Sequence, residues 1–203
     1  MVSKSELIKE AIERAFVEDI GDGDHSSLAC IPEMASSKAE LLVKDDGILA
    51  GVEIAKMVFD YYGDFNVDIK IEDGSNVKKG DIVFMVEGAA RGILGCERLV
   101  LNIMQRMSGI ATYARSLVDL TIGTSAKLLD TRKTTPNFRV FEKEAVRIGG
   151  GYNHRFALYD MIMLKDNHID YAGGVSEALE NSKQYLKEFN KDLKIEIEVR
   201  DFE

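Results

Sequence analysis

Residues 126–168 read AKLLDTRKTTPNFRVFEKEAVRIGGGYNHRFALYDMIMLKDNH. The stretch opens on a short apolar run, 126–130, of the kind found in buried strands. Residues 138–148 follow with helical spacing, and Gly149 to Gly151 provide a stop. A second strand is predicted over 159–165, a helix over 173–189 and a third strand over 193–199. Strands alternating with helices predict a parallel sheet with right-handed crossovers.

Upstream, the pattern is different. Leu7, Ile8, Ala11, Ile12, Ala15 and Phe16 recur at helical spacing, with Ser3 and Glu6 set for a capping box. Residues 21–27, GDGDHSS, read as a loop. Residues 39–53 predict two strands around an Asp-Gly turn. A short helix (54–62), a strand with Val67, Ile69 and Ile71 on one face, and a further turn and strand complete an α+β region. A long helical stretch, 93–121, follows, with a break allowed near Ser108 and Gly109. The expected division is an N-terminal α+β domain, 1–108, and an α/β domain, 109–203.

The chain has 203 residues and a net charge of −9, with 45% hydrophobic and 30% charged residues, ordinary for a globular protein. It contains no apolar run of the ~20 residues that span a bilayer, so no membrane association is expected. The acidic balance argues against nucleic acid. Cys30 and Cys96 have neither pairing nor metal spacing, which fits a reducing, cytoplasmic location.

Against this acidic background, Lys127–Arg155 carries seven Lys/Arg and three Asp/Glu, a local charge of +4. Either this is a solvated basic loop, or it serves a small anionic ligand. Thr131, Arg132 and Lys133 follow the first predicted strand of the second region. His154 and Arg155 follow the glycine run, and Lys165, Asp166, Asn167 and His168 end the second strand. Ligands bind at the carboxyl ends of parallel strands, so these cations are expected on one rim. Arginine clamps carboxylate or phosphate in paired hydrogen bonds, and lysine adds a point charge. In KIEIEV (194–199), Glu196 and Glu198 share one face. In a barrel that face points inward, and the carboxylates then need cations or a metal; the alternative is an edge strand with one solvated face. His25 reads as a loop histidine, with a place near a site as the alternative, and His168 reads as a structural group at a strand end, with ligand contact as the alternative. His154, Asp166 and His168 lack metal-ligand spacing.

Four stretches, ERLVLNIMQRMSGIAT (97–112), DTRKTTP (130–136), GGGYNHR (149–155) and LKDNH (164–168), resemble in order and spacing the quinolinate phosphoribosyltransferase family. EDIGDGDHSS (18–27) is similar to that family's N-terminal signature, and the resemblance covers residues 18–200. It implies transfer of phosphoribosyl from phosphoribosyl pyrophosphate to quinolinate, with Mg²⁺. The products are nicotinate mononucleotide, pyrophosphate and carbon dioxide, a step toward NAD. It also implies an N-terminal α/β sandwich followed by an α/β barrel of TIM-like type, in a homodimer or higher homo-oligomer with shared active sites.

By position in the motifs, Thr131, Arg132, Lys133, His154, Arg155 and Lys165 correspond to substrate-binding residues. Arg98 corresponds to an arginine lent across the dimer. Glu198 corresponds to a carboxylate on the phosphoribosyl and metal side, and Lys133, Lys165 and Glu198 are the expected catalytic set. A complete barrel takes about 200 residues or more. This chain stops at Glu203, just past its third predicted strand, where the family continues with a metal-side aspartate and phosphate loops. The expectation is therefore a C-terminally truncated, incomplete barrel. Residues 72–88 also resemble half-motifs of lipoyl and biotinyl carriers, which the family's own N-terminal domain accounts for.

Overall fold

The computed structural model describes residues 3–201. The chain divides into two compact units, the first ending at Asn153 and the second beginning at His154.

In the first unit, helix α1 (Lys4–Asp19) starts on the expected capping box. Ser3 Oγ accepts from the Glu6 N–H at 3.2 Å, and Glu6 Oε2 accepts from the Ser3 N–H at 2.6 Å. Its apolar stripe buries Ile8, Ile12 and Phe16. The predicted loop at 21–27 instead leads into a helix, α2 (His25–Cys30). Asp24 makes the difference: its Oδ1 accepts the Ser27 N–H at 3.1 Å, satisfying a donor that the first turn leaves unpaired.

Strand β1 (Ser36–Leu42) precedes the Asp46-Gly47 pair and strand β2 (Gly47–Ile48) begins within it, but the two do not form a hairpin. After α3 (Val52–Tyr62) come β3 (Asn66–Ile69), β4 (Asn76–Val77) and β5 (Ile82–Ala89). β1 and β3 flank β5 in one antiparallel sheet, and β2 pairs with β4 in another. Gly47 lacks the positive φ that a tight hairpin turn requires. Its role is close approach, since a Cβ there would lie 2.6 Å from Thr112 Oγ1.

Helix α4 (Ala90–Asp119) runs unbroken through Ser108 and Gly109. The Ser108 hydroxyl accepts the Ala50 N–H at 3.0 Å and donates to the Ala50 carbonyl at 3.1 Å. Thr112, one turn on, accepts the Ile48 N–H at 2.9 Å. These side chains pair the backbone beside β2 rather than disturbing their own helix. The core lies between α3, through Val52, Ala55, Val58 and Phe59, and α4, through Val100, Ile103, Met104 and Met107, with Val83 and Val86 from the sheet.

Helix α5 (Arg139–Ile148) closes the unit. The run expected as a buried strand at 126–130 forms a single parallel bridge, Leu129 with Tyr152. Its Leu129 is 51% exposed, so the run is not a buried strand.

The second unit holds β6 (Ile162–Leu164), α6 (Asp166–Ala172), α7 (Val175–Glu188) and β7 (Ile195–Ile197). β6 and β7 are parallel, with Met163 opposite Glu196, as the alternating pattern predicts. Helix α6 was not predicted from KDNH, which was read as the end of a strand. The protein is mixed α/β, and no closed barrel forms among the described residues.

Candidate functional site

The segment 131–138 contains no regular secondary structure, and side chains hold it instead. Thr131 Oγ1 accepts the Lys133 N–H at 3.0 Å. Arg139 Nε donates to Thr134 Oγ1 at 3.0 Å. The Glu142 carboxylate accepts the Thr135 N–H at 3.0 Å and the Thr135 hydroxyl at 2.9 Å. It also takes Arg106, at 3.1 Å from Nε and 2.8 Å from the terminal nitrogen. Burial alone would raise the Glu142 pKa; the hydrogen bonds from Arg106 and Thr135 outweigh it and hold the carboxyl below the usual range.

At the start of the segment, Asp130 and Lys143 form a buried ion pair, their side chains only 6% and 4% exposed. Asn153 Nδ2 donates to Asp130 Oδ2 at 2.6 Å and to the Lys143 carbonyl at 2.7 Å. Within this frame Thr131 and Lys133 are exposed, whereas Arg132 is half-buried. Arg132 Nε is buried and has no hydrogen-bond partner among the described residues. A guanidinium stays charged at any physiological pH, and a withdrawn donor without an acceptor is costly. An arriving carboxylate or phosphate would satisfy it.

In the second unit, His154 Nε2 and Glu196 Oε2 lie 2.8 Å apart, and Lys165 Nζ donates to Glu198 Oε2 at 2.8 Å. No barrel closes among the described residues, so the face shared by Glu196 and Glu198 is open. Their side chains are 47% and 53% exposed, with a histidine beside Glu196 and a lysine beside Glu198. The exposed Lys165–Glu198 pair contributes little, about 0–1 kcal/mol, so an anion can displace the carboxylate from Lys165 at small cost. Arg155 reaches the Met161 carbonyl at 3.5 Å. His168 is structural: its Nδ1 accepts the Lys165 N–H at 3.0 Å at the start of α6. Asp166 pairs with Arg200 at 3.4 Å.

Arg98 is exposed on α4, with no hydrogen bond or ion pair among the described residues. His25 stands 3.6 Å from Asp22 on the surface. Among the described residues no three His, Cys, Asp or Glu side chains converge as a metal cage, and no helix is long and apolar enough to cross a membrane. Both cysteines are free, and burial pushes the Cys96 thiol up to about 12.

Thr131, Arg132 and Lys133 thus belong to the first unit, and His154, Arg155, Lys165 and Glu198 to the second. Sequence reasoning missed the supports Arg106, Asp130, Glu142, Lys143 and Asn153. In sequence, Glu142-Lys143-Glu144 looks like a solvated helix face. The only signal pointing the other way is that it lies within four residues of the apolar Val140, Phe141 and Ala145.

Residues 24–108 match the family described as quinolinate phosphoribosyl transferase, N-terminal domain. Residues 110–203 match the C-terminal domain of the same family. Quinolinate phosphoribosyltransferase (decarboxylating) 1 of Nicotiana glauca is 46% identical over 195 residues, which cover 95% of this chain and 55% of the relative. The probable nicotinate-nucleotide pyrophosphorylase (carboxylating) of Bacillus subtilis (strain 168) is 43% identical over 196 residues, 96% of this chain and 67% of the relative. The crystal structure of NadC from Streptococcus pyogenes superposes with a TM-score of 0.88 at 38% identity, covering 99% of this chain and 70% of that one. The chain spans about half the length of the plant relatives it matches. At this level of identity and coverage, the chain belongs to the quinolinate phosphoribosyltransferase family.

Proposed function

We propose that the protein takes part in transferring phosphoribosyl from phosphoribosyl pyrophosphate to quinolinate. Nicotinate mononucleotide, pyrophosphate and carbon dioxide are the products. The observation that carries this reading is the buried, unpartnered Arg132 Nε in a cation-bearing segment of an acidic chain. Quinolinate is a dicarboxylate, and its co-substrate is a polyphosphate. Family membership supplies the rest of the chemistry.

In this reading Arg132, Arg155 and His154 bind the quinolinate carboxylates, with Thr131 as a hydroxyl donor. The ring nitrogen forms its bond to the ribose carbon as the carbon–pyrophosphate bond breaks. Lys133 and Lys165 offset negative charge as it develops, through position and electrostatics rather than a covalent intermediate. The adjacent carboxyl group then leaves as carbon dioxide, and its electron pair stays beside the positively charged ring nitrogen, where a proton closes the ring carbon. Glu198 is the donor proposed for Mg²⁺. An exposed carboxylate suits an ion that takes one or two carboxylates together with substrate phosphates. When bound, the ion would supply positive charge to the pyrophosphate leaving group.

Four further readings accompany this one. The division into domains 1–108 and 109–203 is supported by the two family matches, which meet there. An α/β barrel is supported by the parallel pair β6 and β7. A homodimer in which Arg98 serves the partner's site is supported by that residue's exposure and by the lack of a side-chain partner among the described residues. A reducing, cytoplasmic location is supported by the two free cysteines.

The test is quinolinate binding by calorimetry. Arg132→Ala removes a charge-assisted contact worth roughly 1.5–3 kcal/mol, so binding should weaken roughly 10- to 100-fold. Unchanged affinity in folded protein, or a preference for nicotinate over quinolinate, would refute the assignment.

A further inference from the structure

Glu142 and Lys143 are charged residues withdrawn into the core, as is the Asp130 side chain, and the first two are consecutive on α5. Consecutive helical positions point about 100° apart, so the two reach different places. Glu142 grips Thr135 through both its N–H and its hydroxyl. Lys143 grips Asp130, whose second oxygen takes Asn153. Thr135 and Asp130 are the two ends of the segment that bears Thr131, Arg132 and Lys133. Arg139, at the first position of the same helix, holds the middle through Thr134 Oγ1 and, at 3.5 Å, the Arg132 carbonyl.

We infer that α5 is a positioning clamp: Glu142 and Lys143 fix both ends of the 131–135 segment, so that Arg132 is held in place before its anion arrives. The link to quinolinate rests on the function proposed above. Two considerations support a positioning role over a purely stabilising one. A buried ion pair is generally no better for stability than apolar groups of the same size. A segment without backbone secondary structure also needs external contacts to be preorganised, and preorganisation raises affinity by reducing what must be ordered on binding. Glu142 and Lys143 are not assigned contact with substrate.

The experiment uses two variants of the whole chain. Asp130→Leu/Lys143→Met removes the ion pair without stranding a charge, and Glu142→Gln weakens the other grip. Amide hydrogen exchange at residues 131–135, measured without ligand, should accelerate at least tenfold in each variant while the α3 and α4 amides keep their wild-type protection. The quinolinate Kd should rise tenfold or more, and should rise no further when either change is added to Arg132→Ala. Wild-type exchange in the segment, or losses fully additive with Arg132→Ala, would overturn the clamp. So would failure of both variants to fold, because the residues would then be core staples. If wild-type protein does not bind quinolinate, the proposed function fails, and the exchange measurement still decides the clamp.

Discussion

Glu142 shows how one buried carboxylate is kept ionised. Its neighbours are donors: the Arg106 guanidinium, and the amide and hydroxyl of Thr135. They favour the charged form, and its pKa in the folded protein falls below the unfolded value of about 4.3. The resulting stabilisation is fully present above the unfolded pKa and is lost as pH falls through the folded one. Urea midpoints measured from about pH 6 down to about pH 3 should therefore fall more steeply for wild type than for Glu142→Gln, whose amide does not titrate. Parallel curves would show that Glu142 titrates alike in both states. Arg132 is the converse case, with a buried Nε that has no acceptor among the described residues.

At the scale of elements, two glycines in or beside the helices have opposite roles. Gly149 lies just after α5 in an ordinary helical conformation with φ −67°. A Cβ there would meet the Ala111 carbonyl oxygen of α4 at 2.5 Å. Gly149→Ala should force α4 and α5 apart and cost about 1–3 kcal/mol, the usual penalty of overpacking. Gly109, inside α4, faces open space. Gly109→Ala should stabilise the protein by roughly 0.5–1 kcal/mol, because alanine loses less backbone freedom in a helix. Chemical denaturation of the two variants should move the midpoint in opposite directions. If both moved it downward, Gly109 would have a contact beyond this chain.

At the scale of the whole molecule, the proposed homodimer makes a distinctive demand. Arg98 would act on the partner's site and Lys133 on its own. Arg98→Ala and Lys133→Ala proteins, each inactive alone, should recover part of the activity when mixed and exchanged into heterodimers, because some hybrid sites then hold both residues. A lack of recovery in verified heterodimers would rule out sharing through Arg98. Net charge bears on the same scale. The acidic remainder of the chain would repel the proposed anionic substrates, so the cations from Lys127 to Arg155, together with Lys165, would supply the local attraction.

What the sequence determined by itself was whatever depends on near neighbours along the chain. The capping box at Ser3 and Glu6, the helices α3, α5 and α7, and the strands β3, β5, β6 and β7 follow from spacing and stop residues within about a dozen positions. The cations of the candidate site were legible for the same reason, since they lie in short contiguous motifs. Only the tertiary structure decided what faces what. β1 pairs with β5 rather than β2, because Gly47 serves a close approach to Thr112 rather than a turn. α4 continues through Ser108 because the hydroxyl finds Ala50, 58 residues away in sequence. Glu196 and Glu198 are about half-exposed among the described residues, since alternation along a strand tells which residues share a face but not what covers it. Glu142 and Lys143 look solvated along the chain, yet Thr135, Arg106 and Asp130 make their burial affordable, and no local pattern encodes partners so placed.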